Sequence, residues 1–521
     1  MAENIPNLGH SRLLRFLYIG SETNCYIPGD RKLTLENIHC IDSSSQEAAV
    51  KEIIRVAKEG SSVYPDALPF ALAVCSQSQN MKVKQAAYSA LKEACPTASE
   101  LFSFVHFAEE VSKPTTGWGR SRRTAVANWY KTDPKRLAAL ITRVMSHRGW
   151  SHKDLFRLVH LKTENKGLAA LYKYITHGYE AAEKEFGVAD ASPQVKDVLE
   201  YLKAVHELKH TADEQKAARL IEMHDLNFEH IPTPMLKSKE IWLCLIHRLP
   251  VQVLLSQLPR LHRLGFLKHK SPVLKPILER LNSDSTMNDG HLGPLQTFII
   301  AKQLETLQKN PVDKTVLQTY SKLSQLDDTL QTLHLASFKM VPSTGKRYLV
   351  AVDVRNSMVH GKKTLGCRYV SPADAACLIL MALSRAESGK VTALAFSKDG
   401  LKDIEINNKM THNDFFRRLR ETPMGPVNVA APLQWAQEKK KTFDVILVCT
   451  ANQIQSGDVH PADAFKEYRL NLKLPQARFI VCAFSSGEFS LAPPDEPGML
   501  DIAGFSEKVL QVIQDFARGV F

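Results

Sequence analysis

Up to about residue 345 the apolar positions recur at steps of three and four. QEAAVKEIIRVAKEG (46–60), MKVKQAAYSALKEAC (81–95), QVKDVLEYLKAVHELKH (194–210) and VLKPILERLNS (273–283) each carry one apolar stripe on a polar background, which predicts amphipathic helices. Breakers separate them: KPTTG at 113–117, GVADASP at 187–193, IPTP at 231–234 and the polar SDSTMNDG at 283–290. Short helices in succession with few strands suggest stacked helical pairs of the HEAT or armadillo kind, although no strict repeat period accompanies them.

Beyond residue 345 the pattern changes. RYLVAVDV (347–354) is a compact apolar run, as expected of a parallel strand buried on both faces. ADAACLILMALSRA (373–386) reads as a helix and KVTALAFS (390–397) as a second strand. Helices near 411–420 and 431–440, the strand FDVILVCT (443–450), a helix at 461–469, the strand ARFIVCAFS (477–485) and a closing helix in SEKVLQVIQDFARGVF follow. This alternation predicts a doubly wound parallel sheet, with VPSTGKR (341–347) as the linker into it.

A chain of 521 residues is too long for one core. No apolar run approaches the ~18 residues of a membrane span, and the N-terminus lacks a signal pattern. The nine cysteines are scattered without a CxxC pair, so buried free thiols in a reducing, cytoplasmic setting are expected, with a nuclear share allowed. Charge alters the picture most. Between Lys113 and Lys173 lie fourteen Lys and Arg against Asp133, Asp154 and Glu164, a net +11 in a protein of net +12. A basic segment on an otherwise balanced chain is the footprint of a polyanion binder. Trp118, Trp129, Tyr130, Trp150, His152, Phe156 and His160 are interleaved with it, and aromatic groups beside cations suit single-stranded RNA. Positions 153, 157 and 160 fall at i, i+4 and i+7, which would put Lys153, Arg157 and His160 on one helix face. The alternatives are a solvated charged face and, for His160, a core position among Leu158, Val159 and Leu161.

Several segments carry a family resemblance. GWGRSRRTAVANWY (117–130), GWSHKDLFRLVHLK (149–162), LKSKEIW (236–242), STGKRYLVAVDV (343–354), VHPADAFKEYR (459–469) and PDEPGMLDIAGF (494–505) resemble the Ro autoantigen family. That family joins a TROVE helical-repeat domain to a von Willebrand factor A domain, and is the RNA-binding core of Y-RNA particles. The resemblance implies a multidomain fold. An all-α HEAT-like ring at 8–343 would be closed by an A-like α/β domain at 344–521. It implies small structured Y RNA on a basic outer surface, single-stranded 3′ ends of misfolded RNA in a central hole, and a role in RNA quality control. On these grounds the expected RNA-binding residues are Arg120, Arg122, Arg123, His152, Lys153, Arg157, His160 and Lys162.

The metal site of A domains is where the resemblance departs. Asp353 and Ser357 match the Asp-x-Ser-x-Ser motif, whereas Arg355 stands for its first Ser, Val427 for a coordinating Thr, and Ala451 for the second carboxylate. Too few hard oxygens remain for Mg²⁺, so no cofactor is expected, and Arg355 could pair with Asp353 instead. HELKH (206–210) fits HExxH, but Lys209 stands within it and no third ligand follows, so a solvated helix is the plainer reading. EKKKT (438–442) reads as cations at a helix end or a nuclear localisation patch. No Walker loop, dinucleotide fingerprint, nucleophile elbow or carboxylate pair is present, so a monomeric, non-enzymatic RNA binder is expected. The competing expectation is a scaffold that binds protein partners through the A domain.

Overall fold

The computed structural model describes residues 8–29, 33–35, 39, 46–115, 117–268, 270–288, 292–309, 324–451, 459–487 and 490–521. Thr116 of the first breaker and the Asp289–Gly290 end of the polar stretch lie outside the described residues. The chain divides into two compact units. One comprises 16–22 and 32–249; the other comprises 1–15, 23–31 and 250–521. The packing therefore divides at 250, upstream of the change of pattern at 345. The strands in chain order are β1 (Cys25–Tyr26), β2 (Ser146–His147), β3 (Trp150–Ser151), β4 (Tyr348–Val352), β5 (Val391–Ser397), β6 (Gly400–Ile404), β7 (Val445–Thr450), β8 (Arg478–Ala483) and β9 (Met499–Ala503).

In the first unit helices pack on a neighbour or the next but one, apart from the longer-range contact of Pro134–Arg143 with Pro193–His210. Gln46–Glu59 lies on Ala67–Ser76 and Met81–Ala94, Met81–Ala94 on Arg120–Trp129, and Arg120–Trp129 on His152–Val159. Pro134–Arg143 and Lys166–His177 both lie on Pro193–His210. Such short-range stacking is the mark of a helical repeat. Local sequence fixes the starts: Thr97 and Glu100 form a reciprocal capping box before Ala98–Ser112, and the Asp133 side chain accepts from the Arg136 N–H with Pro134 in the first turn.

In the second unit a seven-stranded sheet runs in the order β1-β9-β8-β7-β4-β5-β6. Every pair is parallel except β5–β6. The interior strands β4 and β7 are buried along their whole length, which explains their unbroken apolar runs. The Pro372–Ala386 helix packs on β5, β7 and the Pro294–Lys309 helix, and its buried positions are correspondingly almost continuous. β1 pairs with β9 in register Cys25↔Asp501 and Tyr26↔Ile502. The Asn24 side chain donates to the Glu496 carbonyl at 2.9 Å, and the Asp501 N–H donates to the Asn24 carbonyl at 2.7 Å.

Candidate nucleic-acid interface

The basic segment forms the Arg120–Trp129 and Pro134–Arg143 helices, the β2–β3 hairpin, the His152–Val159 helix and the start of Lys166–His177. The hairpin turns on Arg148 and Gly149, with φ of 50° and 80°; two successive left-handed residues make the twist that antiparallel strands need. Ser151 then caps the next helix. Its hydroxyl accepts from the Asp154 N–H at 3.3 Å while the Asp154 carboxylate accepts from the Ser151 N–H at 3.1 Å. This helix ends at Val159, because His160 takes a left-handed conformation, φ 50° and ψ 51°.

The cations split into two groups. Four are engaged with acids: Lys113 with Glu110, Arg122 with Glu109, Arg148 with Asp66, and Lys173 with Glu185. The other ten have no ion pair among the described residues; they are Arg120, Arg123, Lys131, Lys135, Arg136, Arg143, Lys153, Arg157, Lys162 and Lys166. All of these are exposed except the half-buried Arg123. Lys153 and Arg157, one turn apart, are both open to solvent as their spacing predicts. His160 and Lys162 are exposed too, so His160 is not a core residue. Its direction is not set by helical spacing, however, since the helix has already ended.

Two expected contact residues are instead part of the fold. Arg122 is 4 % exposed. Its guanidinium pairs with Glu109, donates to the Ala108 carbonyl at 3.1 Å, and lies 5.5 Å from the Trp118 ring centre. His152 is fully buried. Its Nδ1 lies 2.7 Å from the Tyr130 hydroxyl and its Nε2 lies 3.0 Å from the Val144 carbonyl. The carbonyl can only accept, so Nε2 carries the proton and Tyr130 donates to Nδ1. Burial pushes the imidazole pKa down to about 4, which keeps it neutral. Trp129, Tyr130 and Phe156 are likewise core. Only Trp118 and Trp150, ring centres 6.1 Å apart and half-buried, remain as an indole pair beside the cations. Sequence pattern alone missed this distinction, although Trp118 and Trp150 each follow a glycine whereas the buried rings do not.

The HELKH helix carries no metal geometry. Glu207 pairs with Lys216 at 2.7 Å, and the hydrogen bond from that ammonium holds its carboxyl below the usual range. Among the described residues no group of three or more His, Cys, Asp and Glu is placed to hold a metal ion. The same described residues contain no helix long and apolar enough to cross a membrane. The described cysteines are buried.

At the carboxyl end of β4 the Asp353 side chain is fully buried. It accepts from the Arg355 N–H at 2.9 Å, Arg355 Nε at 3.0 Å, Arg355 Nη2 at 2.8 Å and Thr450 Oγ1 at 2.9 Å. Val427 and Ala451 are buried apolar groups. Among the described residues here, the buried Ser357 hydroxyl, without a hydrogen-bond partner, is the group that would suit a cation. Among the described residues the donor set does not fit a divalent ion: the Asp353 carboxylate is saturated by a guanidinium and a hydroxyl, and Mg²⁺ demands several hard oxygens.

Two family models divide the chain between them. A TROVE domain matches residues 6–349 and a Ro60 vWA domain matches 347–517. An RNA-binding protein RO60 of Caenorhabditis elegans is 27% identical, over 99% of this chain and 88% of its own. That of Deinococcus radiodurans is 27% identical, over 98% of this chain and 92% of its own. The crystal structure of the Deinococcus radiodurans RO (RSR) protein superposes with a TM-score of 0.86 at 24% identity, covering 98% of this chain and all of that one. A helical region whose helices stack at short range, an A-type sheet after it, and a TROVE match across well over half the residues place this chain in the Ro family of TROVE-domain proteins.

Proposed function

We propose that this chain binds RNA on the exposed basic face of residues 120–166. Ten cations without acid partners among the described residues are the observation that carries this reading. Phosphate binding needs Lys and Arg in water-facing positions, and each such contact gains from release of condensed counterions. Lys153, Arg157, Lys162 and Lys166 would grip one backbone run, and Arg120 and Arg123 another. The Trp118–Trp150 pair offers a stacking surface for an unpaired base. Relatives over nearly the whole length are named RNA-binding proteins, which supports the same reading. The finer proposal is a small structured RNA of the Y type on this face, with single-stranded 3′ ends of misfolded RNA as a second ligand. The protein would then be a non-enzymatic, cofactor-free component of a cytoplasmic RNA quality-control particle. Ultraviolet crosslinking of the native protein, with sequencing of the RNA and mapping of the crosslinked peptides, tests it. Crosslinks should fall in 117–123 and 146–166, on one recurrent class of small RNA. Crosslinks confined to other segments would remove the site, and recovery of no RNA would remove the function.

A further inference from the structure

The Pro294–Lys309 and Ser324–Ser337 helices run antiparallel, with Thr297 against His334 and Gln308 against Asp327. Between them and the start of the His412–Glu421 helix lies a cavity of about 360 Å³. That is the small end of the roughly 300–1,000 Å³ range of ligand sites, so it suits one small molecule. One wall is aromatic. The Phe298 ring centre lies 4.8 Å from that of His412 and 5.5 Å from that of His334. Asp374 fixes the His412 ring, with Oδ1 3.2 Å from Nε2. Leu335 adds an exposed aliphatic edge. Phe298 and His334 are at the Pro294 end of the cavity, roughly 16 Å of helix from Lys309.

His334 brings an unmet hydrogen bond to this wall. Its Nδ1 lies 3.0 Å from the Thr297 hydroxyl and bonds the Pro294 carbonyl. The carbonyl can only accept, so Nδ1 holds the proton and Nε2 is an acceptor. Nε2 is buried and has no hydrogen-bond partner among the described residues. Burial pushes the imidazole pKa down to about 4, so the ring is neutral. A buried acceptor without a donor is unfavourable, and a ligand that donates to it gains accordingly. The charges of the cavity, by contrast, close among themselves. Lys302 lies 3.1 Å and Lys309 2.6 Å from Glu305, and Asp327 lines the same cavity. No surplus of cations remains for a phosphate. On the rim the exposed amides of Gln331 and Asn413 each offer donors and an acceptor. The matching occupant is flat, aromatic and uncharged, with an N–H for His334 and further polar groups for the amides. An aminopurine nucleoside has all of these in its base, exocyclic amine and ribose hydroxyls. An indole has a single donor and nothing for the rim.

We propose that this cavity binds a free, uncharged aminopurine nucleoside, its amine donating to His334 Nε2 and its base packed on Phe298 and His412. The test is calorimetric titration of the full chain with adenosine, which should show one site. Dimethylation of the exocyclic amine removes its hydrogens and should weaken binding about tenfold, the loss of one hydrogen bond. Adenosine monophosphate should be weaker by about tenfold or more, because its charge meets no unpaired cation. His334→Phe keeps a ring and removes the acceptor, and should also cost about tenfold. Asn413→Ala, at an exposed position, should cost several-fold. A circular dichroism melt shows whether His334→Phe folds, and the two adenosine analogues decide the matter if it does not. Absence of adenosine binding overturns the proposal. So does equal binding of adenosine and its dimethyl analogue, which would leave apolar packing alone. Equal binding of the monophosphate, or displacement of adenosine by oligoadenylate at the same base concentration, would make this a nucleotide or RNA site and overturn it too. Indole bound as tightly as adenosine would refute the purine assignment.

Discussion

Exposed and engaged cations in the same basic segment should respond in opposite ways to removal. Lys153 and Arg157 have no acid partner and face solvent, whereas Arg122 is 4 % exposed and tied to Glu109 and the Ala108 carbonyl. Each phosphate contact contributes a salt slope of about 0.7 on single strands and about 0.9 on duplex. Replacing both Lys153 and Arg157 by Ala should flatten the slope by about 1.4–1.8. Between 50 and 200 mM salt, a fourfold change, the parent should therefore lose about 7- to 12-fold more affinity than the variant. Stability should move by about 0.5 kcal/mol or less, as for other exposed substitutions. Arg122→Ala removes a charge-assisted pair and a buried hydrogen bond. Glu109 is about one-third exposed and can be resolvated, so the loss should be about 2–3 kcal/mol. The slope per folded molecule should not change. Filter binding at several salt concentrations, with a urea melt of each variant, measures both quantities. A parental slope in the double variant, or a flattened slope with a parental melt in Arg122→Ala, would refute the division.

Three further outcomes follow from the packing. Tyr130→Phe strips the hydrogen bond from the buried His152 Nδ1 and should cost about 1–3 kcal/mol by denaturant melt, with the salt slope unaltered. Ser151→Ala removes the cap of the helix bearing Lys153 and Arg157 and should cost about 1 kcal/mol, read as faster amide exchange in 152–159. Asp501 is buried, one of its oxygens lacks a partner, and burial raises its pKa to about 6 from 3.8. Its folded form holds the proton more tightly than its unfolded form, so its contribution is full below about 3.8 and is lost as pH rises through 6. The buried His152, His230 and His334, each pushed down to about 4, act the other way, losing stability as pH falls from 6.5. The difference between the parent and Asp501→Asn isolates the carboxylate: relative to the parent, the Asn protein should gain up to about 3 kcal/mol between pH 4 and 7. A pH-independent difference would disprove the assignment.

The alternation of strand and helix after residue 345 was legible because β4 and β7 are buried on both faces and so carry no charged residue. The strands that escaped notice have physical reasons for it. β6 is an exposed antiparallel edge, GLKDI, with only Ile404 buried. β9 carries Asp501 at its centre, which breaks the apolar run that marks an interior strand. β1 is two residues long and owes its existence to β9. In the basic segment, charge count located the face but could not separate Arg122 from Arg123. That distinction depends on Glu109, on the preceding helix. His152 looked like an RNA contact because its burial partners, Tyr130 and Val144, come from other turns of the chain. Arg355 was legible for the opposite reason: it lies two residues from the carboxylate it neutralises.

β1 joins a sheet whose other strands are all encoded after residue 347. During synthesis this strand leaves the ribosome early and has no partner until almost the whole chain has been made. Its backbone donors and acceptors must stay solvated, or be shielded by chaperones, through that interval. Synthesis of the C-terminal half alone presents the converse problem, because β9 would then end the sheet with an unpaired apolar edge, a template for pairing between copies. Supplying Ser21–Gly29 as a separate peptide should therefore restore solubility to such a fragment, and a melt that rises with peptide concentration would measure how much of the domain's stability its first strand supplies.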